Sequence, residues 1–128
     1  MQKVIKILFK DKVLFVAIGI MLFIGYLSLK KIDYIPIQLS HSDKIYHAIA
    51  YFFLGLTWLL SFPKSLLNKN LKYAIVISCI IYGIVVEVLQ ETLTTYRTAS
   101  LLDIIANIVG VIIAMLVFKL VYKKIVAI

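Results

Sequence analysis

The chain has 128 residues, 63% of them apolar and 16% charged, with a mean hydropathy of +1.05. A soluble domain carries about 25% charged residues to coat its surface, so a water-soluble globule is excluded and a small integral membrane protein is expected, as one domain over residues 1–128. The formal charge of +8 does not imply a nucleic-acid partner in such a chain, because basic residues flanking membrane spans record topology.

A bilayer core about 30 Å thick takes roughly 20 helical residues to cross, fewer if flanking side chains snorkel. Four stretches qualify. The first spans 13–29, between Lys12 and the pair Lys30 and Lys31. It follows a basic start (Lys3, Lys6, Lys10, Lys12) as a signal core would, but it is long for one and no small-x-small pattern precedes Lys30, so a retained helix is expected. The second spans 44–62 and stops at Pro63, which cannot continue a helical ladder. Ser42 is read as its N-cap, with Asp43 near the positive end of the helix dipole. Residues 64–70 read as a polar turn, followed by a third span at 71–90. The lone Cys79 lies in that apolar run, forms no internal disulfide and suits a buried packing role. The fourth span covers 100–122, with Ser100 as a cap and Lys119 able to snorkel. Short links make neighbouring helices alternate in direction, giving an all-α, four-helix transmembrane bundle.

The basic residues set its orientation. Ten of the fourteen cations fall on the side that holds the N-terminus, the second link and the C-terminus. Only Lys30, Lys31, Lys44 and Arg97 fall on the other, so the positive-inside rule puts both termini in the cytoplasm. Five of the six acids, all but Asp11, lie at the outer face.

That face carries the candidate chemistry. Residues four apart share a helical face, so Asp43, His47 and Tyr51 form a stripe descending from the outer end of the second helix. Glu87, Gln90 and Glu91 lie near the outer end of the third, with Gly83 one turn below Glu87. Asp103 and Asn107 form a stripe on the fourth, and Arg97 lies in the loop before it. Ionisable groups one or two turns into a membrane are costly unless they face a bundle interior or a wet cavity and find partners. The cluster is therefore either a functional site or a structural network tying helices together. As a site, its catalytic candidates are His47, Glu87 and Asp103. Asp43, Lys44, Tyr51, Gln90, Arg97 and Asn107 are the candidates for binding substrate. Arg97 is the one arginine beside thirteen lysines, and its planar fork suits two-point binding of carboxylate or phosphate. No cofactor and no metal is expected. One histidine in the cluster is few for zinc, although the carboxylates would suit a hard cation.

The same residues carry a resemblance. Ser42-Asp43-Lys44 followed by His47, Tyr51, Leu54 and Gly55 resembles the first signature of the VanZ-like family. Tyr82-Gly83, Glu87 and Gln90, then Arg97, Ser100, Asp103, Asn107 and Gly110, resemble the second. Ala114 stands where such proteins often have a second glycine, and alanine still permits close helix approach. The likeness runs from about residue 13 to 121. It implies a protein of the bacterial cytoplasmic membrane, from a family named for a determinant of low-level resistance to the glycopeptide teicoplanin, and it brings no established reaction.

Three functions are compatible with these residues. One is a protein that engages an anionic lipid, a lipid-linked cell-envelope intermediate or a glycopeptide antibiotic at the outer leaflet, with Arg97 and Lys44 contacting phosphate or carboxylate. Another is a membrane-embedded enzyme acting on such a lipid with His47 as general acid or base. The third is a small four-helix transporter, which needs polar groups near the midplane, whereas the inner halves of the helices are apolar and only Ser78 and Cys79 are polar candidates near the middle of the third.

Overall fold

The computed structural model describes the backbone of residues 2–29, 40–62, 67–93 and 101–127, and the side chains of 12–28, 45–62, 67–92 and 101–124. Four helices account for nearly all of these residues: α1 (Gln2–Leu29), α2 (Ser40–Ser61), α3 (Lys69–Leu93) and α4 (Leu101–Ala127). All four correspond to expected spans, and each extends past its span at one end at least. Hydropathy marks where a helix enters an apolar phase, whereas the hydrogen-bonded ladder continues through polar residues that tolerate helical geometry. Helix α1 accordingly extends back through the lysine-rich start, and α4 runs on past Lys123 and Lys124.

Two local expectations are corrected. Helix α2 begins at Ser40, so Ser42 lies inside its first turn and does not cap it. Lys69 and Asn70 belong to α3, not to the preceding turn. The cap there is Asn68, whose side-chain oxygen accepts from the Leu71 N–H at 3.2 Å while its carbonyl accepts from Lys72 N–H at 3.1 Å, satisfying donors that the helix start leaves open. At the other end of α2, the Phe62 N–H donates to the Leu59 carbonyl at 3.1 Å, closing the last turn just ahead of Pro63. The proposed cap Ser100 lies outside the described residues.

Interhelical contacts set the topology. The start of α2 meets the end of α3 (His47 with Glu87) and the start of α4 (His47 with Asp103). The end of α1 meets the end of α3 through Ser28 and Gln90. Neighbours in sequence therefore run antiparallel, as short links require. Helix α2 packs against all three others, most extensively against α4. That seam is built on small residues, which let helix backbones approach closely. A Cβ on Gly110 would lie 2.9 Å from the Phe52 backbone nitrogen and closer still to the Ala48 carbonyl. A turn further along, one on Gly55 would lie 3.3 Å from the Ala114 Cβ. Alanine at 114 is thus compatible with the close approach.

The core runs along this seam and on to α1 and α3, through Tyr51, Leu54, Leu59, Val111, Ala114, Phe118 and the buried Cys79. The exterior is equally apolar. Phe15, Leu22, Phe23, Leu116 and Leu120 are each at least 60% exposed, whereas water-soluble monomers avoid apolar patches beyond about 300–600 Å². Helices α3 and α4 are long and apolar enough to cross a membrane, and α1 and α2 contain shorter apolar stretches, Lys12–Ser28 and Ile45–Ser61. The hydroxyls of Thr57, Ser61 and Ser78 donate back to carbonyls one turn earlier, at 2.7 Å each, so these groups enter the apolar helices already satisfied.

Candidate functional site

At the end of the bundle holding the starts of α2 and α4 and the end of α3, three helices aim ionisable side chains at one another. His47 projects from the second turn of α2, and its two ring nitrogens face different carboxylates. Nε2 lies 3.9 Å from Glu87 Oε1 of α3, and Nδ1 lies 3.7 Å from Asp103 Oδ1 of α4. The Glu87 side chain is 2% exposed, Asp103 12% and His47 20%, so the imidazole is the most accessible member. One donor atom from each of the three residues fits within a 4.8 Å envelope. His47, Glu87 and Asp103 each make further interactions beyond these.

A floor lies one turn deeper. Asn107 follows Asp103 on the same face of α4 and is 2% exposed. It abuts Gly83, which is one turn below Glu87 on α3: a Cβ there would lie 3.2 Å from Asn107 Nδ2 and 3.1 Å from the Tyr51 ring. The absent side chain at Gly83 is what admits both groups. Neither polar atom of the Asn107 carboxamide has a hydrogen-bond partner among the described residues. Tyr51, 1% exposed, lies beside Tyr82 with ring centroids 6.4 Å apart.

Beyond these two tyrosines, away from the cluster, the structure leaves an apolar cavity of about 370 Å³ between α1, α2 and α3. Met21, Leu54, Trp58, Phe62 and Tyr82 supply its large lining groups. On α3 it is lined by Ala74 and Ser78, both exposed, so the cavity opens sideways. This cavity was not among the features expected from the sequence. Its signal was the spacing of Leu54, Trp58 and Phe62 opposite the small residues Ala74 and Ser78, each set at four-residue intervals.

The structure thus brings together His47, Glu87, Asp103, Asn107 and Tyr51 from the sequence-derived set. Gln90 takes a different post: it is 4% exposed and donates from Nε2 to the Ser28 carbonyl of α1 at 2.7 Å. Tyr82 makes a second tie of the same kind, its hydroxyl donating to the Met21 carbonyl. Glu91 is exposed. Arg97 and the side chains of Asp43 and Lys44 lie outside the described residues.

The VanZ/LLP1 family model matches residues 5–122. The chain belongs to that family. No curated protein and no solved structure matches it. The VanZ/LLP1 match runs through all four helices, so the cluster, its floor and the cavity all lie within the family's domain.

Proposed function

We propose that this VanZ/LLP1 protein spans the cytoplasmic membrane of a bacterium with both termini in the cytoplasm, and that it engages an anionic amphiphile at the outer leaflet. A lipid headgroup or a lipid-linked cell-envelope intermediate is the ligand class. The observation that carries this reading is the pairing of a buried polar cluster, drawn from α2, α3 and α4, with an apolar, sideways-open cavity on the other side of Tyr51 and Tyr82. A polar head and a hydrocarbon tail need these two environments in this order. Ten of fourteen cations at the opposite end support the outward orientation of the cluster. Arg97, which falls between α3 and α4 in the sequence, has a fork suited to phosphate or carboxylate. The family's name adds glycopeptide antibiotics as candidate competitors for the same face.

One observation favours a catalytic version of the same site. A histidine with a carboxylate facing each ring nitrogen is arranged for proton transfer, one carboxylate orienting the ring while the other nitrogen works on a substrate. A single experiment addresses both readings: purification in native lipid nanodiscs, with mass-spectrometric identification of the retained lipids. Wild type is expected to enrich one anionic lipid or lipid-linked species over bulk phospholipid. Arg97→Ala loses that enrichment, and added teicoplanin competes with it. Recovery of bulk phospholipid alone, unchanged by the substitution, defeats the proposal. If His47→Ala retains the lipid in a form that wild type converts, the site is catalytic.

A further inference from the structure

We infer that His47, Glu87 and Asp103 form a divalent cation site with Asn107 as a further oxygen donor, and that the bound cation holds the phosphate of the anionic ligand. The second half of this inference rests on the function proposed above; the first half does not. Three helices each contribute one ligand-type side chain, and their donor atoms lie within 4.8 Å of one another. The direct separations of 3.7 and 3.9 Å exceed hydrogen-bond range. An ion bonded at about 2.0–2.2 Å to each donor bridges gaps of that size.

The second, independent observation is Asn107. A carboxamide 2% exposed, with neither polar atom hydrogen-bonded among the described residues, is a costly thing to bury. It lies one turn below Asp103 and against Gly83, one turn below Glu87, and therefore directly beneath the carboxylates. Its Oδ1 is a neutral ligand of the kind that completes carboxylate-rich sites.

One imidazole among oxygens is a borderline donor set. It suits Mn²⁺ or Zn²⁺ better than Ca²⁺, which takes oxygen ligands alone and more of them. The two carboxylates match the charge of such an ion. The partial exposure of His47 leaves the site open on one side, as in sites where a metal meets a substrate rather than serving only to hold a fold. One histidine in the cluster is few for zinc when histidines alone are counted. In space the count that matters is the donor set, and the carboxylates and Asn107 complete it.

The test uses full-length protein in nanodiscs, stripped with EDTA and titrated with Mn²⁺, free ion being read by electron paramagnetic resonance. Zn²⁺ and Ca²⁺ are run as competitors. Wild type is expected to bind one Mn²⁺ per chain, displaced by Zn²⁺ and not by equimolar Ca²⁺. Glu87→Gln and Asp103→Asn, which keep side-chain shape, each weaken binding more than the roughly 10–100-fold that loss of an outer-shell partner costs. Asn107→Leu weakens it about tenfold, and Glu91→Gln, at an exposed carboxylate, leaves it unchanged. Circular dichroism of each stripped variant checks that it is folded, and either isosteric variant suffices. Absence of stoichiometric binding, or binding indifferent to these substitutions, overturns the site. Chelation of wild type should also release the retained anionic lipid. Lipid kept after chelation overturns the bridging role and leaves the proposed function intact; stoichiometric metal with no selective lipid does the reverse.

Discussion

Tyr82 and Gln90 sit on the face of α3 that meets α1, and each donates one hydrogen bond to an α1 carbonyl, at Met21 and Ser28. The Met21 carbonyl lies inside the helix, where a second lone pair remains to accept the tie, whereas the Ser28 carbonyl lies in the last turn of α1 and has no donor within the helix, so Gln90 satisfies a group the helix end leaves open. Tyr82→Phe removes one tie while keeping the ring that separates the polar cluster from the cavity. Interhelical hydrogen bonds in membranes average about 0.6 kcal/mol and reach about 1.7, so the variant should lose stability on that scale in thermal unfolding. It should also show faster maleimide labelling of Cys79, which is 6% exposed and lines the same cavity. Unchanged unfolding and labelling would mean that the tie carries no weight. Glutamine at a helix end is equally suited to a ligand or to a neighbouring carbonyl, and only the position of α1 decides for Gln90. Four-residue spacing, by contrast, was enough to align Asp103 with Asn107 and Gly83 with Glu87.

At the scale of helices, spacing and hydropathy located all four elements, because an apolar run of span length has little alternative to a helix in an apolar phase. Their ends were less legible, since caps are made by single polar side chains such as Asn68, and hydropathy is blind to them. The α2–α4 seam offers the sharpest test. A methyl at Gly110 collides with backbone atoms of Ala48 and Phe52, which have no rotamer to yield. A methyl at Gly19 meets nothing within 4 Å. Gly110→Ala should therefore destabilise by at least the roughly 1–3 kcal/mol typical of overpacking, whereas Gly19→Ala should be neutral or slightly stabilising. Melting temperatures of the two variants in the same detergent make the comparison, and equal values would refute the close approach.

For the whole molecule, the distribution of charge was readable from the sequence, and so was the gathering of His47, Glu87 and Asp103 at one end of the bundle. The cavity was not, because the spacing of Leu54, Trp58 and Phe62 and of Ala74 and Ser78 shows only which residues share a face, while the gap itself depends on how far α3 stands from α1 and α2. The orientation proposed here can be checked by labelling intact cells with a membrane-impermeant thiol reagent in a Cys79→Ala background. Glu91→Cys should label, and Lys123→Cys should label only after permeabilisation; both native side chains are exposed. The reverse pattern would turn the cluster toward the cytoplasm.

The glycine seam has one more consequence. Because α2 and α4 touch backbone to backbone and share the largest contact among the described residues, they form one blade, and His47 and Asp103 both stand on it. Glu87 rides on α3, which is held to that blade by far less surface. A displacement of α3 would therefore change both distances from Glu87, to His47 and to Asp103, and leave the span between His47 and Asp103 as it is.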